Sequence, residues 1–249
     1  MEYDINFYTK DKAQKRDDFF SNKPLFSDKG IDTNKIFFDY LLDSLKRIKK
    51  NKQEKIKILD LGTGTGYVPK VLCQLSDENF EIIGVDLAQQ MLDLAKERTK
   101  DKRVKYVLAD NQRLPFANSA FDIITNKLTT QFEMRELNRV LKQGGLFIFK
   151  EYDRYKGFKE IFNLFKDRFI KIKKGPADYY EELAQLGFQE IVLRKFIIKR
   201  DYQIDEINNI FAMANIIENF NPDDLNKIKN YLGENFNITS DPFIIYAQK

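Results

Sequence analysis

The chain contains no histidine, no tryptophan and one cysteine, Cys73, among 249 residues. Without histidine it can build no Ser-His-Asp or Cys-His nucleophile system and no imidazole zinc site. A single cysteine makes neither an internal disulfide nor a thiolate cluster. Cys73 falls inside an apolar helical pattern, so we expect inert packing in a reducing, cytoplasmic setting. Any general base must be Asp, Glu, Lys, Tyr, Cys or water. No apolar run approaches the ~18 residues that span a bilayer. The start, Met1-Glu2-Tyr3-Asp4, lacks the basic-then-apolar pattern of a secretory leader, and none is expected. Lys and Arg number 42 against 38 Asp and Glu, a net charge of +4. That balance by itself does not point to nucleic acid.

What is present is enough for a core: 43% hydrophobic and 32% charged residues. Short apolar runs at 56–60, 81–86, 104–109, 121–126 and 145–151 alternate with helical patterns at about 66–76, 88–99 and 130–141. That alternation is the mark of βαβ units with right-handed crossovers. An amphipathic helix is expected over 34–50, with Phe37, Tyr40, Leu41, Leu45 and Ile48 on one face. Phe158, Phe162, Phe165 and Phe169 recur at helical spacing, as cap core or, less simply, as a substrate cage. A helix at 177–186 precedes a strand at 188–198, then come two helices, the second opened by Asn221-Pro222-Asp223-Asp224. The last strand is expected at 242–248. The fold class is α/β: a Rossmann-like, doubly wound, seven-stranded and mostly parallel sheet with a helical cap. One domain over 1–249 is expected, with its core at about 51–151, 177–199 and 236–249 and its cap from 1–50, 152–176 and 200–235.

Three strands end in acids. Ile58-Leu59-Asp60-Leu61-Gly62-Thr63-Gly64-Thr65-Gly66 is an apolar strand, an acid and a glycine-rich turn opening a helix. Such a turn lets a ligand lie against backbone. The spacing is not that of dinucleotide folds, and Asp60 would repel a pyrophosphate but welcome an ammonium group. Asp86, twenty residues after Gly66, suits the two hydroxyls of a ribose and disfavours a 2′-phosphate, although it could equally cap a helix. Asp110, before Asn111 and the rigid turn Leu114-Pro115-Phe116, could accept from an exocyclic amine. A ligand with an amine, a ribose diol and an adenine amine fits all three.

On these motifs, together with Met91-Leu92, Phe121-Asp122-Ile123-Ile124 and Glu136-Leu137-Asn138-Arg139-Val140-Leu141-Lys142-Gln143-Gly144-Gly145, the chain resembles the class I S-adenosylmethionine-dependent methyltransferases. It is most similar to the branch of the ubiquinone/menaquinone-pathway and malonyl-carrier-protein enzymes. The resemblance covers roughly residues 54–151, Leu186-Gly187-Phe188 and the last strand. It implies S-adenosylmethionine as cofactor and S-adenosylhomocysteine as product. By the same resemblance Asp60 holds the methionine ammonium, and Gly62, Thr63, Gly64 and Gly66 let the backbone pass the methionine and ribose. Asp86 takes the ribose hydroxyls, Leu87 and Met91 pack on adenine, and Asp110 with Asn111 receives the adenine amine. Asn126, with the segment to Leu128, faces the methionine end. Met91 could also be plain core. Relatives often carry histidine just past the fourth strand; here Thr125-Asn126-Lys127-Leu128 stands there.

The acceptor is not written in these motifs, and no catalytic residue is singled out. A donor that is already activated needs mainly alignment and exclusion of water. The missing histidine tilts the expectation toward O-methylation, of a carboxylate or a hydroxyl, on a small molecule or a carrier- or peptide-linked substrate. Tyr8, Glu151 and Tyr152 are candidate proton acceptors, and a tyrosine or carboxylate is expected in that role. Residues 46–57 hold seven Lys/Arg against one Glu and 166–174 hold five against one Asp. They read as solvated helix faces, or as a docking surface for an acidic partner. An RNA methyltransferase and a catalytically silent S-adenosylmethionine-binding subunit are the alternatives; nucleic acid is disfavoured, and the oligomeric state is left open. A capping box is expected at Thr130 and Glu133.

Overall fold

The computed structural model describes residues 30–50, 54–129, 131–170, 174–214 and 216–249, and near the start residues 9, 11, 12, 14 and 15. Among them, the chain runs α1 (Thr33–Lys49), β1 (Ile56–Leu61), α2 (Tyr67–Leu75), β2 (Phe80–Asp86), α3 (Gln89–Arg98), β3 (Val104–Leu108) and β4 (Phe121–Lys127). It continues through α4 (Met134–Val140), β5 (Leu141–Tyr152), α5 (Lys159–Leu164), α6 (Pro176–Gln185), β6 (Gln189–Lys195) and β7 (Ile198–Gln203). The last elements are α7 (Ile204–Met213), α8 (Pro222–Leu232), β8 (Asn235–Ser240) and β9 (Pro242–Gln248).

Seven strands form one sheet in the order β3-β2-β1-β4-β5-β9-β6. The pairs among β1 to β5 are parallel, and β9 runs antiparallel between β5 and β6. The chain builds outward from β1 to β3, then returns to lay β4 on the other side of β1. The carboxyl ends of β1 and β4 therefore flank the switch point where open α/β sheets receive ligands.

Side-chain alternation explains the three layers. Ile58, Ile82, Ile123, Ile148 and Ile244 point to one face and pack under Phe37, Phe38, Leu41 and Leu45 of α1 and Val68, Val71 and Leu72 of α2. Their neighbours Leu59, Ile124, Phe147, Phe149 and Ile245 point the other way, under Met134 and Leu137 of α4 and Tyr179 and Leu183 of α6. Burial on both faces is why these strands are apolar throughout. Helix α1 starts where Asp32 accepts from the Asn34 and Lys35 amides, and its last turn carries Lys46, Arg47 and Lys49, matching the helix dipole.

Several expectations shift. The strand expected at 188–198 ends at Lys195, as β6 of the large sheet, and β7 and β8, neither of them expected, pair in a separate two-stranded sheet. The phenylalanine stripe is not one helix, since α5 ends at Leu164. Phe158, Phe165 and Phe169 are nonetheless buried together with Ile207, Phe211, Ile228 and Ile238. Glu133 itself occupies the N-cap of α4, without a side-chain bond, so the box expected there does not form. Its partner Thr130, like Tyr8, lies outside the described residues. No helix among the described residues is long and apolar enough to cross a membrane.

Candidate functional site at the carboxyl edge of the sheet

The site starts from register. Asp60 is paired in the sheet with Gly84 of β2 and Thr125 of β4. Its carboxyl is buried, and one oxygen accepts from the Thr125 hydroxyl at 2.8 Å. The other oxygen, Oδ2, is buried with no hydrogen-bond partner. Burial pushes the Asp60 carboxyl up to about 6, while the Thr63 and Thr125 hydroxyls and then the nearby Lys127 pull it the other way. An orphaned acid on a closed strand end is costly unless something cationic completes it.

The turn after β1 is locked from two sides. The Thr63 amide donates to the Val85 carbonyl at 2.8 Å, and the Gly64 amide donates to Asp86 Oδ2 at 2.9 Å. Asp86 Oδ1 accepts from the Ala88 amide at 3.0 Å. Asp86 is thus a strut tying the glycine turn to the start of α3. Gly62 has φ +61°, and a Cβ there would lie 2.0 Å from Thr129 Oγ1. Only glycine combines that backbone with that contact. Gly84 is required for a different reason: a Cβ on it would meet Thr63 Oγ1 at 2.7 Å.

The remaining predicted residues divide. Leu87 is half-buried, and Met91 is buried in a small cluster with Ala88 and Leu94. Asp110 is exposed, its carboxylate accepting from the Gln112 amide at 2.8 Å within its own turn. Asn111 is buried with its side-chain oxygen unpartnered. Asn126, fully buried, accepts from the Thr129 amide at 3.2 Å and leaves Nδ2 unpartnered. Between Asn126 and Thr129 the chain turns through Leu128 at φ +64°, a left-handed conformation that costs a non-glycine residue about 1–2 kcal/mol. The Leu114-Pro115-Phe116 turn is pinned by α4. Glu136 accepts from the Leu114 amide, and Arg139, paired with Glu136, donates to the Leu114 and Phe116 carbonyls.

Sequence reasoning missed Thr125, Tyr106 and Lys150. The Tyr106 hydroxyl is buried without a partner and would lie 2.4 Å from a Cβ on Gly66; burial pushes its ionisation up to about 12. Lys150 is 2% exposed on β5. Its signal was a cation in the apolar run Leu146-Phe147-Ile148-Phe149-Lys150. The candidates Glu151 and Tyr152 are also on β5. Glu151 is buried, with Oε1 accepting from the Tyr152 amide, and Tyr152 is half-buried.

The basic runs are less bare than composition suggested. Arg47 pairs with Glu190, Lys49 with Glu78, Arg168 with Asp224 and Lys174 with Glu182.

Residues 59–149 match the family model of a methyltransferase domain. The ubiquinone/menaquinone biosynthesis C-methyltransferase UbiE of Shewanella sp. (strain ANA-3) is 30% identical over 146 residues, 52% of this chain and 58% of its relative. Over this segment the chain is similar to S-adenosylmethionine-dependent methyltransferases. It spans a little over half the length of the curated relatives it matches. Among solved structures, BH2331 from Bacillus halodurans C-125 superposes with a TM-score of 0.59 at 16% identity, over 83% of this chain and 99% of that one. A Haemonchus contortus phosphoethanolamine N-methyltransferase 2, in complex with phosphomonomethylethanolamine and S-adenosylhomocysteine, reaches 0.60 at 19% identity over 99% of this chain and 58% of that one. At those identities the likeness is one of fold.

Proposed function

We propose that this chain transfers a methyl group from S-adenosylmethionine to a small acceptor presented at the carboxyl ends of β4 and β5. The observation that carries the reading is Asp60 Oδ2, an unpartnered buried oxygen at the switch point. The residues present fit the cofactor. Asp60 would accept from the methionine ammonium, and the glycine turn leaves backbone, not side chains, along the ligand's path. Asp86, at the end of β2, would take the ribose hydroxyls, and the Asn111 and Asn126 side chains each hold one buried polar atom without a partner. Leu87 and Met91 are proposed beside the adenine, and Asp110 would have to give up part of its own turn to reach the adenine amine.

Bound there, S-adenosylmethionine supplies a methyl group already activated by the sulfonium. The chain's own task is to bind, align and exclude water. The cluster around Phe158, Phe211 and Ile238, built from residues 158–238, is read as the cap that closes the acceptor side. The acceptor atom is read differently from the sequence expectation. The activity named for the curated relatives is C-methyl transfer, which weighs against O-methylation. A carbon becomes nucleophilic when a conjugated hydroxyl loses its proton, so an enol or phenol is the acceptor class we favour.

Calorimetry with S-adenosylmethionine tests the reading. Binding is expected, weakened about tenfold or more in Asp60→Asn by loss of a charged hydrogen bond. Absence of binding to the wild type refutes it. Mass spectrometry after incubation with phenols, enols and carboxylic acids then reads the acceptor class, and methyl esters alone would overturn the carbon assignment.

A further inference from the structure

Lys150 is a lysine without the surroundings a lysine needs. It is paired in the sheet with Lys127 of β4 and Ile244 of β9. Alternation puts Lys150 on the face that carries Ile148, Thr125 and Asp60, one strand beyond Lys127. Its Nζ donates to the neutral Asn34 Oδ1 at 2.9 Å and lies 5.6 Å from the centre of the Tyr152 ring. Among the described residues no carboxylate lies within ion-pair distance of it. The charged groups that face it are Lys127 from β4, Arg200 from β7, Glu151 from its own strand and Asp32 from the cap of α1. Burial first, then the neighbouring cations, hold its ionisation well below the usual lysine range. A methionine would fill that place at lower cost. A buried, unpaired amine at the ligand edge of a sheet is the arrangement of a working base.

We propose that Lys150 is the proton acceptor of the methyl-acceptor pocket. Its neutral amine takes the proton of an acidic phenol or enol. The O–H bond breaks, its electron pair stays on the acceptor and is shared with the conjugated carbon, and an N–H bond forms. The ammonium is then paired with the anion it has made, beside Lys127 and Arg200. This rests on the methyltransferase reading and gives the histidine-free chain its base.

The test has two readouts that need no turnover. Lysine side-chain carbons are followed by NMR through a pH titration of the full chain, and the Lys150 signal is assigned by its loss in Lys150→Met. Lys150→Gln serves if that variant fails to fold. A signal titrating well below the ordinary lysine range is expected; titration within that range overturns the proposal. Second, 4-nitrophenol is added at a pH below its own ionisation. Wild type should raise the phenolate absorption band, and Lys150→Met should return it to background. No band with the wild type, or equal bands in both, overturns the proposal. Lys150→Met should bind S-adenosylmethionine as the wild type does. Failure of the wild type to bind it would instead sink the methyltransferase reading and leave the lysine titration standing.

Discussion

Asp60 should make the unliganded protein less stable as the solution becomes less acidic. Burial raises its carboxyl from 3.8 to about 6. The folded state therefore keeps the proton to higher pH than the unfolded state. Asp60's contribution is fully present below about pH 4 and is lost as pH rises through 6. Two units at 1.36 kcal/mol each make about 3 kcal/mol. Asp60→Asn keeps an oxygen for the Thr125 hydroxyl and removes the titration, although its new amide hydrogens cost about 1–3 kcal/mol if unpartnered. That cost is the same at every pH. Urea unfolding of both proteins at pH 4 and pH 8 isolates the effect, because other titrating groups cancel in the double difference. The variant should gain about 2.4 kcal/mol relative to the wild type between the two pH values, because at pH 4 the unfolded carboxyl is already partly ionised. A double difference under about 1 kcal/mol, or of opposite sign, refutes the argument. The same acid links binding to pH. An ammonium ligand favours the carboxylate, so S-adenosylmethionine should expel a proton below pH 6 and lose up to tenfold in affinity per unit. Calorimetry in buffers of different ionisation enthalpy reads that proton, and the variant should release none.

Gly62→Ala should cost about 2–4 kcal/mol, combining a left-handed backbone with a clash against Thr129, whereas Gly64→Ala, with open space around it, should cost only about 1. Equal losses in thermal or urea unfolding would contradict the assigned contact. Asp86→Ala should destabilise the unliganded protein by about 2–4 kcal/mol, since the Gly64 and Ala88 amides both lose a charged acceptor. An unchanged unfolding midpoint would show that Asp86 is not a strut. Phe158→Ala removes an edge-to-face contact with Phe211 and should cost about 3–5 kcal/mol, while calorimetry should find S-adenosylmethionine affinity unchanged.

The parallel sheet and its ligand edge could be read from the chain because two local signals agreed there. Apolar runs of strand length ended in acids, and helical periods separated them. Glycines marked a turn that the structure closes with Asp86. The two-stranded β7–β8 sheet could not be read, because Ile198–Gln203 alternates exposed and half-buried residues and finds its partner only at Asn235–Ser240. No local pattern announces a pairing across that separation. Helix α4 was overextended at both ends: it begins only at Met134, after an N-cap at Glu133, and Leu141, which fits a helical period, begins β5. The site residues that were missed share a cause. Thr125, Tyr106 and Lys150 lie inside runs that look like ordinary strand, and their roles follow only from which neighbour the register gives them.

That register also shows where the fold carries its unfavourable terms. Away from the ligand edge, carboxylates are held down by partners: Glu81 by Lys105, Glu136 by Arg139 and Asp224 by Arg168. At the carboxyl edge of β1, β4 and β5 the tendency reverses. Asp60 is raised, Lys150 is lowered, Leu128 is left-handed, and Asp60 and Asn126 each keep a buried polar atom unpartnered. Each costs stability and none is explained by packing, while the two apolar layers beneath are continuous. Single costs of these kinds occur elsewhere, as at Thr33, Asn138 and Asp241, but here a raised acid, a lowered lysine and a left-handed turn sit on neighbouring strand ends, as expected where a ligand completes the structure. On this argument binding should be strongly stabilising. An acid that is short of a cation gains one, and the lysine that is short of an anion gains it only when the acceptor arrives. The two halves of the site would then be completed by two different ligands, with the acidic half filled first.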